Sequence, residues 1–485
     1  MSAFQKLFKQ TFIYGLATVL PRMLTFLLTP LYTDVMAVGV YGKVTIIFSW
    51  FAIFNVILAY GMETAFFRFF NKKEDKERVV GTSALSIIFT SLVIFAFAFL
   101  FKSEIAQITD IKAEYINFVI WILLLDALVI IPFAWLRAKE RPIKYAVIKI
   151  ANVAINIGLN LFFFLWLADL ATGNSFFESI YKLNFEISYV LIANAAASGI
   201  TLLLMVPFYS KIKYIFDAKL WKQMLGYAFP VLIAGLAYTI IEMFNRILLD
   251  SPLSNAADPE AEVGMFSACY KIALFMTLFA TAFRLGIEPY FFSHAKSNNP
   301  QKNYARILEY FVALGSIILL AVVVFSDIIK ALIIRDEAFW EAMWIVPIVL
   351  LASFCLGIYH NLSVWYKITD RTKFGAYISV FGAIVTLGLN FWLIPIIGYK
   401  GSAIATLAAY GSMVLLSYYY GRKHYPIPYN LKRIGTYLGL SIVFSGIYFY
   451  QFRQDYFIGI PLLLTYIGIV FLLERKELKK LLNTK

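Results

Sequence analysis

Long apolar runs recur along the whole chain, broken by short polar segments that carry most of the charge. Each run has about the 20 residues that a helix needs to cross a bilayer core. The pattern predicts fourteen membrane-spanning helices, at about 11–33, 41–67, 79–101, 115–136, 145–168, 187–209, 224–249, 263–292, 307–333, 342–366, 374–396, 401–420, 434–451 and 457–474. The polar segments between them are short. The longest, DLATGNSFFESIYKLNFEI, is too small to bury a core of its own. Function must therefore reside within the membrane or at its surfaces.

Composition agrees with this class. The 485 residues are 61% hydrophobic and 15% charged, where a soluble chain keeps about a quarter of its residues charged. Most of the 43 Lys and Arg fall in alternate segments, including RFFNKKEDKER, RAKERPIK, GRKHYPIPYNLKR and ERKELKKLLNTK. The positive-inside rule then places both termini in the cytoplasm. The +14 net charge is accounted for in this way: it points to anionic lipid headgroups, not to nucleic acid. Cys269 and Cys355 lie inside apolar runs and read as core residues. The three histidines (His294, His360 and His424) are far apart, without partners at ligand spacing, so no metal site and no cofactor are expected.

The runs also repeat. GMETAFF (61–67) returns as GIEPYFF (286–292), and VGVYG (38–42) as VGMFS (263–267), both 225 residues later. WLRAKER (135–141) returns as WYKITDR (365–371), and GLN (158–160) as GLN (388–390), both 230 residues later. Even-numbered spans pair with even-numbered ones, so the halves share one orientation, related by an axis along the membrane normal. The expected architecture is all-α: an N-lobe (1–210), a C-lobe (211–422), and a C-terminal helix pair with a basic tail (423–485). Two bundles of this kind suit alternating access.

An ionisable residue at mid-span costs ~2.5–3.5 kcal/mol on insertion scales, so each is a candidate for function. Those within spans are Arg22, Glu63, Asp126, Glu242, Arg246, Lys271, Arg284, Glu288 and Glu309. Spans 1, 2, 7 and 8 carry seven of them. Glu242 and Arg246 are four residues apart, as are Arg284 and Glu288, on one helix face where they can pair. Each pair reads either as a self-neutralised structural element or as a cation held ready by its carboxylate. Pro21 and Pro230 would weaken helical bonding in equivalent spans. The four cations of these spans, Arg22, Arg246, Lys271 and Arg284, suit an anionic guest, and guanidinium forks suit phosphate in particular. Glu63, Asp126, Glu242 and Glu288 are their charge partners or ion-coupling groups. Asp126 fits either a proton or Na⁺ site or a structural hydrogen bond. Asn152, Asn156 and Asn160 form a stripe that most simply glues helices together.

PLYTDVMAVGVYGKVTIIFSW (30–50), YGMETAFFRFF (60–70) and VGMFSACYKIALFMTLFATAFRLGIEPYFF (263–292) resemble the polysaccharide flippases of the multidrug/oligosaccharidyl-lipid/polysaccharide (MOP) exporter superfamily. The resemblance covers nearly the whole chain. It implies a carrier that moves undecaprenyl-pyrophosphate-linked oligosaccharides across a bacterial cytoplasmic membrane. It also implies a basic cavity lined by spans 1, 2, 7 and 8, which Arg22, Arg246, Lys271 and Arg284 would furnish. Coupling to H⁺ or Na⁺ and association with membrane lipids and polysaccharide polymerase or assembly proteins are further expectations. Asn245 stands where related sequences often have an acidic residue, and Glu242 could substitute for it. Alternatives are a peptidoglycan lipid-precursor flippase and an H⁺- or Na⁺-coupled multidrug exporter. The buried cations weigh against the multidrug exporter, whose guests are usually cationic. An enzyme would need catalytic groups on a substantial external loop, and no such loop is present in the sequence.

Overall fold

The computed structural model describes residues 26–293, 299–369 and 371–482, and among these it contains helices and no strands. Twelve helical stretches of the described residues are long and apolar enough to cross a membrane, from Val38–Lys72 to Tyr456–Arg475. The expected first span lies mostly outside the described residues. The expected thirteenth is the helix Leu431–Gln451, which stands apart from those twelve. The chain is thus an all-helical membrane protein whose spans follow the apolar runs. It divides into two compact units, Met1–Gly264 and Met265–Lys485.

In the first unit, the helix Ala218–Leu249 packs on Val38–Ala59 and Met62–Lys72, while Glu186–Tyr209 packs on Pro142–Leu161 and Ala113–Leu128. A core of Met62, Phe66, Val79, Ile87, Met224 and Ala228 joins several of these. In the second unit, Tyr399–His424 packs on Lys373–Ile397 and Val346–Leu362, and Pro300–Val324 on Leu431–Gln451. Its aromatic core centres on Trp365, which is 1% exposed and packs with Phe291, Tyr304 and Tyr366. The Trp365 indole donates to the Ser417 carbonyl at 3.1 Å.

The second span is not one helix. It stops at Ala59 and restarts at Met62, because Tyr60 and Gly61 adopt left-handed backbone conformations. Gly61 has a second reason to be glycine: a Cβ there would lie 2.4 Å from the Ala228 carbonyl oxygen. The carboxylate of GMETAFF therefore sits in the first turn of a new helix, where the positive end of the helix dipole favours it. By contrast, the helix runs unbroken through Pro230, so the expected interruption of span 7 does not occur. A proline within a span loses one hydrogen bond, but the rest of the helix and its neighbours hold its course. The longest polar segment also forms helix, Leu167–Gly173 and Ser175–Ile180, the second capped by the Asn174 side chain.

The repeat is visible inside each unit. Spans 4 and 10 each break shortly before their end, into Ala113–Leu128 and Ile130–Ala138, and into Val346–Leu362 and Val364–Ile368. Asn160 and Asn390 are bonded alike. Each donates its amide to the carbonyl four residues back at 2.7 Å, and each accepts a hydroxyl proton, from Tyr32 at 2.8 Å and from Ser402 at 2.7 Å. Asn152 donates to the Thr201 hydroxyl at 2.9 Å, which makes that asparagine a bridge between two helices.

Candidate cationic sites in the two units

The first unit holds its mid-membrane charges in separate arrangements. Arg246 is 8% exposed. Its Nη1 donates to the Glu242 carbonyl oxygen at 2.7 Å and lies 3.8 Å from the Met243 sulfur. The i, i+4 spacing thus brings the guanidinium back along its own helix, as side chains tilted toward the N-terminus require. A backbone acceptor is used there, and both Arg246 and Glu242 have further partners. Glu63 accepts from Arg137 Nη1 at 2.8 Å, and Arg137 also stacks 4.7 Å over the Phe67 ring. Both members of this pair are more than two-fifths exposed, so it contributes roughly 1 kcal/mol at most.

Asp126 accepts a hydrogen bond from Ser198 at 2.7 Å, across two helices. Lys149 sits 4.2 Å over the Phe133 ring, within electrostatic reach of Asp126, Glu63 and Arg137. Lys149 was not among the residues expected from sequence. Its only signal was a lysine seven residues into a helix that begins at Pro142.

Near the start of Val38–Ala59, Lys43 pairs with Glu260 at 2.5 Å. The two helices meet backbone to backbone. A Cβ on Gly42 would lie 1.8 Å from the Glu260 carbonyl oxygen, and one on Gly264 would lie 2.1 Å from the Val38 carbonyl oxygen. Asp250 lies just beyond the end of Ala218–Leu249. Burial, then the nearby Glu260, Asp110 and Asp258 carboxylates, push its carboxyl up to about 6 against the pull of Lys43.

In the second unit, Lys271 opens a 3₁₀ turn, Lys271–Ala273, that separates Pro259–Tyr270 from Leu274–Ser293. Arg284 lines a small cleft with His360, Asn361, Ser363 and Lys367. Here, among the described residues, Lys367 joins a predicted cation. Lys367 and His360 come from either side of the break in span 10. In the sequence, Lys367 falls just past the expected span 342–366, and His360 is one of three isolated histidines. The repeat mate of Lys367 is Arg137, which pairs with Glu63; Lys367 has a partner as well. Arg22 lies outside the described residues, as does the side chain of Glu288.

At the far end of the same unit, Asp327 is 8% exposed. It accepts two hydrogen bonds from Arg453 at 2.9 Å each and pairs with Lys330 at 2.7 Å. Burial alone would raise its carboxyl pKa; the Arg453 and Lys330 hydrogen bonds overcome that and hold it below the usual carboxylate range.

Comparison with known proteins places the family and the fold. A family model described as polysaccharide biosynthesis protein matches residues 7–293, more than half of the chain. No curated protein matches it in sequence. Among solved structures, the chain is similar to the lipid II flippase MurJ in an inward closed conformation, at 14% identity and TM-score 0.73, covering 96% of this chain and 100% of MurJ. It is also similar to an inward-facing MATE family multidrug resistance transporter of the MOP superfamily, at 12% identity and TM-score 0.61, covering 88% of this chain and 96% of that one. A third is a MOP superfamily transporter from Pyrococcus furiosus, at 13% identity and TM-score 0.59, covering 89% and 96%. At these identities the likeness establishes the fold.

Proposed function

The chain belongs to the polysaccharide biosynthesis protein family, and from that premise we propose that it is a flippase of undecaprenyl-pyrophosphate-linked oligosaccharides in a bacterial cytoplasmic membrane. The observation that supports this reading is the grouping of Arg284 and Lys367 with His360 and Asn361 around a narrow cleft, which has room for about one water in this conformation and must widen to admit a diphosphate. Two cations beside amide and imidazole groups suit a pyrophosphate, which offers acceptor oxygens in several directions. Arg22, Arg246 and Lys271 are further cationic contacts for the same substrate. Alternating access carries the glycan across while the polyprenyl chain stays in lipid.

Glu63, Asp126, Glu242 and Glu288 are the groups through which H⁺ or Na⁺ would couple, with one charge crossing 100 mV worth ~2.3 kcal/mol. No covalent chemistry is required of the protein. A polysaccharide polymerase or assembly protein would take up the product.

The test is a strain lacking its own exporter, complemented with Arg284→Ala and Lys367→Ala variants and scored for surface glycan. Loss of one charge-assisted contact should lower export about tenfold or more, with normal amounts of protein in the membrane. Full export by the double variant refutes the assignment. Reconstituted vesicles offered either an oligosaccharide-linked lipid or lipid II separate this reading from the peptidoglycan-precursor alternative, which uses the same diphosphate.

A further inference from the structure

The second unit contains a cavity of about 310 Å³ that the proposed transport does not use, lined by Lys302, Arg306, Glu309, Tyr310, Arg433 and Glu474. It sits where Pro300–Val324 and Leu431–Gln451 begin and where the apolar part of Tyr456–Leu482 ends. That is the headgroup depth of spanning helices. Lys302, Arg306 and Arg433, from the starts of the first two of these helices, meet there.

The charges in this cavity are layered. Glu309 and Glu474 lie deep, their side chains 14% and 7% exposed. Lys302 and Arg306 are exposed. Arg433, 35% exposed, stands 3.8 Å from Glu309 Oε2 and also 3.8 Å from Glu474 Oε1. These are long contacts, outside hydrogen-bond range. Glu474 is held in place by the Tyr437 hydroxyl, which donates at 2.5 Å. The cavity therefore offers fixed carboxylates within and cations at its rim.

We propose that this cavity binds the headgroup of a membrane phospholipid carrying both a phosphodiester and a primary ammonium, as phosphatidylethanolamine does. The ammonium goes inward to Glu309 and Glu474, replacing the long contacts of Arg433, while the phosphate is held by Lys302, Arg306 and Arg433. A purely anionic headgroup would set negative charge beside one buried and one largely buried carboxylate, which like-charge repulsion disfavours. A choline headgroup has no N–H to donate to them.

The helix faces above the cavity point to a lipid and not a soluble phosphate. Leu314, half exposed, follows Arg306 and Tyr310 at four-residue steps on one face of its helix. Phe471, Ile467 and Leu464, 57%, 38% and 61% exposed, rise from Glu474 on one face of theirs. Acyl chains anchored by a headgroup in the cavity would lie along these side chains.

The experiment uses full-length, delipidated protein in detergent, with native mass spectrometry and thermal unfolding as readouts. The probes are phosphatidylethanolamine, phosphatidylglycerol, phosphatidylcholine, free phosphoethanolamine and inorganic phosphate. Phosphatidylethanolamine should bind and raise the unfolding temperature more than the other lipids, and the two soluble probes should have little effect at equal concentration. Glu309→Gln should reduce the preference for phosphatidylethanolamine about tenfold, while its lipid-free unfolding temperature stays close to wild type. Lys302→Ala with Arg306→Ala should weaken all three lipids. Equal binding of phosphatidylglycerol by the wild type, or an unchanged preference in Glu309→Gln, overturns the proposal. So does full effect from free phosphoethanolamine. None of these readouts requires transport.

Discussion

Gly42 and Gly39 lie one helical turn apart on the same helix, yet they should respond oppositely to alanine. At Gly39 a new Cβ would find its nearest neighbours at 3.8 Å, an ordinary contact. Gly39→Ala should be neutral or should gain up to about 1 kcal/mol, the helix preference of alanine over glycine. At Gly42 the new carbon would fall 1.8 Å from the Glu260 carbonyl oxygen and 2.8 Å from its carbon. Both are backbone atoms and cannot turn aside. Relief requires the two helices to part by about 1.6 Å, judged against a 3.4 Å lower limit for ordinary contact. Overpacking of this kind costs ~1–3 kcal/mol. The Lys43–Glu260 pair would be stretched as well, at a cost of up to about 1 kcal/mol for a partly exposed pair. Set against the helix preference, Gly42→Ala should lose ~1–3 kcal/mol locally, a roughly 5- to 150-fold shift in the opening of this helix contact. Hydrogen exchange of the amides at 38–45 reads that opening directly, with unfolding temperature as a companion measurement. If Gly42→Ala exchanges like Gly39→Ala, the backbone contact is not there and the reasoning fails.

Two further substitutions probe the charges outside the spans. Asp327→Asn leaves Lys330 and Arg453 beside a neutral amide in a site with little solvent, and should cost ~3–5 kcal/mol, as breaking a buried pair does. Because the Asp327 pKa is held low in the folded protein, the stability it supplies is present above the ordinary carboxylate range and lost as pH falls through the folded value. Thermal unfolding of the wild type should therefore drop in acid more steeply than that of Asp327→Asn, and parallel curves would refute this. Asp250 has the opposite sign. With its carboxyl pushed up to about 6, stability is greatest below the unfolded pKa and declines as pH rises toward 6. Asp250→Asn should remove that decline from the unfolding profile between pH 4 and 6, and a profile left unchanged would show that Asp250 is not its source.

The spans were legible because apolar length is a local property of the chain, and the repeat because duplicated segments keep their order. The breaks within spans were less so. Gly61 permits a left-handed turn without announcing one, and its close approach to the Ala228 carbonyl, more than 160 residues away, is not a local property of the chain. Pro230 looked like a break and is not one. Among site residues, Arg284 was visible as a charge in an apolar run, but Lys367 and His360 became its neighbours only through the packing of span 10. For Glu242 and Arg246, spacing on a helix predicted that they would meet. It could not say that the guanidinium would take the backbone carbonyl of residue 242.

The matched asparagines carry a last implication. In each, both halves of the amide are occupied, one by the preceding turn and the other by a hydroxyl from elsewhere in the same unit. The hydroxyls come from opposite directions along the polypeptide, a tyrosine far upstream in one case and a serine shortly downstream in the other. The amide is thus common to the two halves of the repeat, while its companion differs. Among descendants of this chain, Tyr32 with Asn160, and Ser402 with Asn390, should be lost or exchanged as couples.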